Sequence, residues 1–353
     1  MIKGFVPLKT ISNKVKHGGI AVAILALLAS GYIWHHGRTP AARLAKFCGG
    51  ALPVEEMLEV TGTTASGFTG NDLGELHSAD FRETGRLGIV CSLSDPEPFR
   101  VSIEATEGSN PYFTYTFQRG DDVLPVPLGN NWSGILVPSD RGISGSVVLD
   151  CPGWEEDQGR GILVSGEWNN VKGDAPIVRT RLAKVLTSAA QRTAEQTGCK
   201  ALFGNQMQTV DPAATRTKRA DQATGTCKGV TSRSTVWETA ARTAPVEYCV
   251  LKDGLRLAAF YGAFADSDFD DLKPDGTYSP SGENSSSSWG TAECPGGIAI
   301  AQYAASPEEG GARPEFTVEP PTAREYADLR TFAEQSAKRH GCTDLKFPSA
   351  ATR

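Results

Sequence analysis

Two long segments of the chain place apolar or small residues at every fourth position. Residues four apart lie on one face of a helix, so this spacing predicts helices over residues 178–197 and 322–339. Small side chains on that face let each helix lie close to a sheet. A glycine follows each stripe and predicts the end of the helix, because glycine readily adopts a positive φ. The two stripes are Leu186, Ala190, Ala194 and Gly198, and Leu329, Ala333, Ala337 and Gly341.

Runs of β-branched and aromatic residues, bounded by glycine, proline and polar residues, predict strands. Proline is common in the stretch over residues 123–137, which is therefore expected to be a loop or an edge strand. In the first half of the chain the strands are expected at residues 87–93, 99–105, 112–117, 143–149 and 161–168. In the second half they are expected at residues 246–251, 255–264, 297–303 and 315–318.

A short helix is expected near the start of each half. In the first half, Pro53 suits the first turn of a helix, where its missing N–H is not needed, and Gly62 ends the element. In the second half, Thr235 and Glu238 have the spacing of a capping box, which predicts a helix over residues 236–244.

A cassette that begins with Cys-Pro-Gly and ends with Gly-Cys occurs twice, from Cys151 to Cys199 and from Cys294 to Cys342. The separation of 48 residues is the same in both copies. Two further cysteines precede each copy, so the eight cysteines divide four and four in the same order. The sequence therefore predicts a tandem duplication. The preceding cysteines are Cys48 and Cys91 in the first half and Cys227 and Cys249 in the second.

These elements predict an α+β fold, because hairpin-sized connections replace the β-α-β alternation of parallel sheets. We expect an N-terminal transmembrane helix and then two tandem, homologous domains. Each domain would be an antiparallel sheet with a short N-terminal helix and a long closing helix. The first domain is expected over residues 48–202 and the second over residues 227–347, and the polar stretch over residues 203–226 is expected to be a flexible linker.

The even number of cysteines, all of them downstream of the N-terminal segment, predicts disulfide bonds in an oxidising compartment. Several pairings are possible within each set of four. We favour first with fourth and second with third, because the outer pair would join the helices and the inner pair two strand ends. The expected bonds are Cys48–Cys199, Cys91–Cys151, Cys227–Cys342 and Cys249–Cys294. Zinc is not expected, since no two cysteines have the close spacing of a zinc site.

The first 47 residues differ from the rest, because they hold seven basic residues and no acidic one. Lysines precede an apolar stretch over residues 18–34, which is just long enough to cross a bilayer as a helix. We expect a signal anchor there, with residues 1–17 in the cytoplasm and residues 35–47 as a linker to an extracytoplasmic part. The alternative is a signal peptide that is cleaved near residues 29–31, which would release a secreted protein.

The remainder of the chain is acidic, because it keeps 28 of the 35 basic residues and all 41 acidic ones, a net charge of −13. Phosphate backbones attract basic surfaces, so nucleic acid is excluded as an expected partner. The expected partners are the membrane, through residues 18–34, and an unidentified protein or envelope ligand.

No motif for catalysis, a cofactor or a metal stands out, so none is expected. The acidic stretch over residues 266–271, with Asp275, lacks the glycine and glutamate positions of a calcium loop and is expected to be a solvated loop. Ser144 does not lie in a nucleophile elbow. His77 and His340 are unmatched between the two halves, which does not favour a shared histidine mechanism.

Tryptophans offer a possible binding surface for a sugar or peptide, but packing against disulfides is the favoured interpretation. Of the five beyond the N-terminal segment, Trp154 follows a Cys-Pro-Gly turn and is the one expected to be exposed. The five are Trp132, Trp154, Trp168, Trp237 and Trp289.

The order of a cysteine before a short helix, cysteine-bearing strands and a closing helix with a cysteine resembles uncharacterised exported proteins of actinobacteria that are anchored or lipidated at the N-terminus. The resemblance covers Cys48 to Cys199 and Cys227 to Cys342 and is one of pattern. It implies a cell-surface location and no activity. The chain departs from the lipidated members because it lacks a lipobox.

The sequence therefore predicts a single-pass, membrane-anchored extracytoplasmic protein with a non-enzymatic binding or interaction role in the cell envelope. The alternative is an exported hydrolase that acts on an envelope or extracellular substrate.

Overall fold

The computed structural model describes most of the chain between residues 47 and 348. The described residues are 47–61, 77–80, 87–93, 99–106, 124–139, 141–154, 161–173, 175–211, 218–231, 235–241, 244–252, 254–262, 264–265, 281–283, 288–295, 300–307 and 322–348.

Seven strands of the first half form one antiparallel sheet, in the order β1-β2-β3-β7-β6-β5-β4. Strand β7 lies at its centre, where Val164 pairs with Ile103 of β3 on one side and with Val147 of β6 on the other. The strands are β1 (His77–Asp80), β2 (Gly88–Leu93), β3 (Phe99–Thr106), β4 (Val126–Pro127), β5 (Gly134–Pro138), β6 (Gly142–Asp150) and β7 (Gly161–Asn169).

Eight strands of the second half form another antiparallel sheet, in the order β12-β13-β14-β11-β10-β9-β8, and β15 also pairs with β13. The hairpin of β10 and β11 places Cys249 opposite Leu257. The strands are β8 (Lys218–Arg219), β9 (Thr235–Glu238), β10 (Val246–Leu251), β11 (Leu255–Tyr261), β12 (Gly282–Glu283), β13 (Ser288–Glu293), β14 (Ile300–Pro307) and β15 (Thr343–Lys346).

Three α-helices lie among the described residues: α1 (Val54–Thr61), α2 (Pro176–Thr197) and α3 (Ala323–His340). Helix α3 begins at a capping box, in which Thr322 and Glu325 each bind the other's backbone N–H. Helices α2 and α3 end at Gly198 and Gly341, whose φ angles of 72° and 70° confirm the predicted glycine ends.

The two sheets pack on each other; α1 and α2 lie on the outer side of the first sheet, and α3 lies on the outer face of the second. In β6, Val147 and Leu149 lie in the core under α2, whereas Val148 lies in a layer shared with the second sheet. In β10, Cys249 and Leu251 lie in the core under α3, and the alternate residues of β10 lie in the shared layer. Successive side chains of a strand point to opposite faces, so the described chain forms four layers: helix, sheet, sheet, helix.

Helix α2 approaches its sheet at two glycines. A Cβ atom on Gly145 would lie 3.1 Å from Cδ1 of Leu186, and one on Gly166 would lie 2.9 Å from its Cδ2. The predicted stripe of α2 is thus matched by small residues on the strands beneath it. This complementary packing buries Leu186, Ala190 and Ala194 completely.

The structure contradicts the predicted fold class of a transmembrane helix and two tandem, homologous α+β domains. The described chain is mostly sheet with three α-helices, and its two sheets bury a common apolar layer, so they are not two self-contained domains. Among the described residues no helix is long and apolar enough to cross a membrane. The apolar segment over residues 18–34 lies outside the described residues, and the domain boundaries stay a prediction.

The part of the expected linker over residues 203–211 packs against the first sheet, whereas Lys218 and Arg219, at the other end of the same stretch, form β8 of the second sheet. The indole N–H of Trp132 donates to the carbonyl of Asn205 at 2.8 Å. Met207 and Val210 are buried in the core under α2. Residues 203–211 therefore extend that core beyond the end of the helix.

Most strand and helix predictions are confirmed, but the short helix over residues 236–244 is wrong. Strand β9 occupies its beginning, and Trp237 pairs with Val250 of β10. Glu238 caps no helix; its buried carboxylate accepts hydrogen bonds from the backbone N–H groups of three residues. Those residues are Thr224, Gly225 and Cys227. The strands predicted over residues 112–117 and 315–318 lie outside the described residues.

The predicted disulfide pairing is wrong, although disulfide bonds are present. The bonds are Cys151–Cys199, Cys227–Cys249 and Cys294–Cys342. Cys91 is also disulfide-bonded, and the side chain of Cys48 lies outside the described part of the chain. The cysteine after each long helix is thus bonded to the cysteine at the end of a strand, β6 for α2 and β13 for α3. It is not bonded to the first cysteine of its half.

Candidate functional site

A polar cavity of about 600 Å³ opens between the 3₁₀ turn Phe47–Gly50, helix α1 and helix α2. Its wall on α2 is one helix face, because the lining positions are three or four residues apart. Helix α1 contributes Glu56, and the turn contributes Gly50. The lining residues on α2 are Ser188, Gln191, Arg192, Glu195 and Gln196.

Neutral side chains orient the cavity's two carboxylates. Ser188 Oγ donates a hydrogen bond to Glu56 Oε1 at 2.9 Å, and Gln191 Nε2 donates to Glu195 Oε1 at 3.1 Å. Gln196 Nε2 reaches the carbonyl of Gly49 at 3.4 Å and joins the helix to the turn. The cavity therefore holds two ionisable acids whose hydrogen-bond donors are uncharged.

Arg192 lies on the same wall and is exposed. Neither Arg192, Glu56 nor Glu195 forms an ion pair among the described residues. Just outside the cavity, Lys184 and Glu59 do pair, at 3.7 Å. The cavity thus presents one cation and two anions, and none of these three charges is used in an ion pair among the described residues.

A second polar cluster lies inside the protein, between α3 and the second sheet. Glu247 of β10 is fully buried, and its carboxylate binds three residues of α3. Ser336 Oγ donates to Oε2 at 2.8 Å, His340 Nε2 bonds to Oε1 at 2.9 Å, and the Arg339 guanidinium pairs with Oε2. The last turn of α3 is therefore held to the sheet by one buried carboxylate.

Two tyrosines extend this cluster. The hydroxyl of Tyr261 bonds to Ser336, and it lies 3.5 Å from the hydroxyl of Tyr303. The imidazole ring of His340 stacks on Tyr261 with ring centroids 3.5 Å apart. Burial raises the pKa of Tyr303 to about 12. Burial, together with the nearby Glu247 carboxylate, also raises the pKa of Tyr261.

The buried cluster has the residue types of an acid–base site but no access for a substrate. Glu247, Tyr303 and Ser336 are 0% exposed, and the side chain of His340 is 5% exposed. A general base must come within hydrogen-bond reach of the substrate's proton. We therefore interpret the cluster as a structural anchor for α3.

The raised tyrosine pKa values predict that stability falls at alkaline pH. Tyrosines of the unfolded chain ionise near their ordinary pKa of 10.0, whereas Tyr261 and Tyr303 stay protonated in the fold. Above that pH the folded state binds more protons, so the free energy of unfolding decreases as pH rises. Each tyrosine should contribute about 1.4 kcal/mol per pH unit. Urea unfolding between about pH 9 and about pH 11.5 measures this slope.

The variant Tyr303→Phe provides the control for that slope. It keeps the ring but removes one of the two tyrosine hydroxyls whose pKa is raised. We expect its slope to be about half that of the parent protein. A slope that is the same in both proteins would contradict the assignment to Tyr303.

The other candidates from the sequence form no site within the part of the chain that the structure describes. The acidic stretch over residues 266–271 lies outside the described residues, as does the side chain of His77. Ser144 is half-buried on β6. Among the described residues no cluster of histidine, cysteine or acidic side chains could hold a metal ion.

The five tryptophans are buried or half-buried, and their predicted packing against disulfides stays a prediction. Trp132 and Trp168 are buried in the core under α2, and Trp154, expected to be exposed, is half-buried against it. Trp289 is buried too, and Trp237 packs against the layer between the sheets.

The sequence did not predict either polar site. One feature of the sequence indicated the Glu247 cluster. Glu247 is an acidic residue in an otherwise apolar strand and lies two positions before Cys249, so both side chains point to the face of the sheet that α3 covers. The cavity joins Glu56 and Ser188, which are 132 residues apart, and no local pattern links them.

No family model matches this chain, and none of the curated proteins or solved structures compared with it is significantly similar. Its function is therefore inferred from the chain's own residues.

Proposed function

We propose that this protein is a single-pass, membrane-anchored extracytoplasmic protein with a non-enzymatic binding role in the cell envelope. The polar cavity between α1 and α2 carries this proposal. It opens to solvent and holds charged side chains without ion-pair partners among the described residues. Its volume lies in the range of about 300–1,000 Å³ that is typical of ligand sites, and its polar lining favours a polar or charged ligand.

Disulfide bonds support the extracytoplasmic location. Three bonds join six of the described cysteines, and such bonds persist in oxidising compartments outside the cytoplasm. The apolar sequence over residues 18–34 would provide the anchor. The membrane is then one partner, and an envelope component or protein is the other.

The alternative of an exported hydrolase finds less support. Its acid and base would have to be exposed to a substrate, whereas Glu247 and His340 are enclosed beneath α3. The acids of the cavity, Glu56 and Glu195, have no histidine, cysteine or tyrosine beside them in the described lining.

The location is tested on membranes from cells that express the full chain. The membranes are washed with carbonate, and thiols are alkylated with a polyethylene-glycol maleimide before and after reduction. We expect the chain to stay in the pellet and to react only after reduction, with up to eight cysteines shifted. A chain without residues 1–34 is the control; it should stay in the cytoplasm and react without reduction.

Two results would overturn this proposal. Free thiols in the native membrane fraction would contradict the extracytoplasmic location. Release of a chain that begins near residue 31 would show cleavage, and the protein would then be secreted and not anchored.

A further inference from the structure

We propose that the cavity between α1 and α2 binds a small zwitterion, the free amino and carboxyl ends of a short peptide. This inference rests on the proposed binding function and adds the class of ligand. The cavity combines one guanidinium with two carboxylates, and a zwitterionic peptide offers the complementary pair of charges.

Arg192 is the group that would bind the ligand's carboxylate. A guanidinium binds a carboxylate with two parallel hydrogen bonds, which gives strength and fixes orientation. Its neighbour one turn away, Glu195, accepts instead from Gln191. Arg192 thus faces the cavity without an ion-pair partner among the described residues.

Glu56 and Glu195 would bind the ligand's ammonium group. Each already accepts one hydrogen bond from a neutral donor, which orients the carboxylate and leaves further lone pairs for a cation. They lie on different elements, Glu56 on α1 and Glu195 on α2, so the ammonium would sit between the two helices.

The lining disfavours two other polar ligand classes. A phosphate ester brings two negative charges into a cavity whose formal charge is −1, from Glu56, Glu195 and Arg192. A sugar ring favours an aromatic platform, and none of the described lining residues is aromatic. A peptide end needs neither extra positive charge nor a ring.

The test uses the full chain in detergent micelles and triglycine as the probe, titrated by calorimetry. Two capped probes remove one charge each: N-acetyl-triglycine lacks the ammonium, and triglycine amide lacks the carboxylate. We expect saturable binding of triglycine and at least about tenfold weaker binding of each capped form, because each capped form loses a charge-assisted hydrogen bond.

Variants assign each charge to its residue. The Arg192→Gln variant should bind triglycine about tenfold more weakly than the parent protein does, and it should bind triglycine and triglycine amide equally well. Glu195→Gln with Glu56→Gln should instead bind triglycine and its N-acetyl form equally well. Lys184→Gln is the matched control on α2, because Lys184 pairs with Glu59 and does not line the cavity.

Absence of saturable binding, or binding that Arg192→Gln leaves unchanged, would overturn the inference. These results are distinct from a failure of the proposed function. A chain that carries its disulfides in the membrane fraction but does not bind triglycine keeps the proposed location and loses this ligand class.

Discussion

Replacement of Glu247 by glutamine is expected to lower the free energy of unfolding by about 3 kcal/mol or more, because it removes the negative charge from a buried ion cluster. Arg339 would keep its charge with only 18% of its side chain exposed, and Nε2 of His340 would lose its charged hydrogen-bond partner. Urea unfolding at neutral pH, followed by circular dichroism, measures the change.

A matched substitution of a surface glutamate separates the effect of burial on stability from the effect of losing a negative charge. Glu59 pairs with Lys184 at 3.7 Å, and the two side chains are 50% and 34% exposed. An exposed pair contributes at most about 1 kcal/mol, so Glu59→Gln should change stability little. Equal losses for Glu59→Gln and Glu247→Gln would contradict the role of Glu247 as a buried anchor.

A double-mutant cycle with Arg339→Gln tests whether the two charges act together. The second substitution removes the charge that Glu247→Gln leaves uncompensated. The double variant should therefore lose less stability than the sum of the two single variants. Additive losses would mean that Arg339 reaches solvent and does not depend on Glu247.

Local patterns in the sequence predicted most elements because those elements depend on nearby residues. The fourfold spacing of α2 and α3 and their terminal glycines report helix geometry directly. The strand β10 was equally clear from its β-branched and aromatic residues.

The packing of the two sheets was missed, although β10 carried a signal for it. Five of the six residues of β10 are apolar, and they occupy both faces of the strand, with Glu247 as the one exception. A strand that is apolar on both faces is typical of a sheet covered on both sides. The expectation of self-contained domains left one face of each sheet to solvent and did not use this signal.

The error at β9 has a tertiary cause. Thr235 and Glu238 have the spacing of a capping box, but Val236 and Trp237 favour a strand and pair with β10. Glu238 is satisfied instead by backbone N–H groups from the loop before the Cys227–Cys249 bond. Such contacts between separate segments cannot be read from a local spacing.

The prediction of the disulfide pairing was wrong and the cavity was not predicted, both for the same reason. Four cysteines allow three pairings, and sequence spacing does not select one. The structure selects it by returning the end of α2 to the end of β6 and the end of α3 to the end of β13. The cavity likewise depends on where α1 packs against α2.

Replacement of both Cys294 and Cys342 by alanine is expected to lower the free energy of unfolding by roughly 4 kcal/mol in the chain-entropy model. The bond joins residues 48 positions apart and so restricts the unfolded chain. Without the bond the unfolded chain gains conformational entropy and becomes more favourable. Urea unfolding of the oxidised parent and of the double variant measures the difference.

The bond Cys151–Cys199 is the matched control, because its sequence separation is also 48 residues. The chain-entropy contribution is therefore the same for both bonds. Cys151 and Cys199 are only 4% and 7% exposed, whereas Cys294 and Cys342 are half-buried, so alanine at the first pair also leaves a cavity in the core. Removal of Cys151–Cys199 should consequently lower the free energy of unfolding by more than removal of Cys294–Cys342 does. A smaller decrease for Cys151–Cys199 would contradict this explanation.

The Cys294–Cys342 bond and the Glu247 cluster hold the same end of α3, since His340 lies two residues before Cys342. Once either is removed, the last turn of the helix can separate from the sheet and the other loses part of its effect. Glu247→Gln combined with the two alanine substitutions should therefore destabilise the protein less than the sum of the separate losses. Strict additivity would contradict this coupling, because it would show that the helix end stays docked when either attachment is absent.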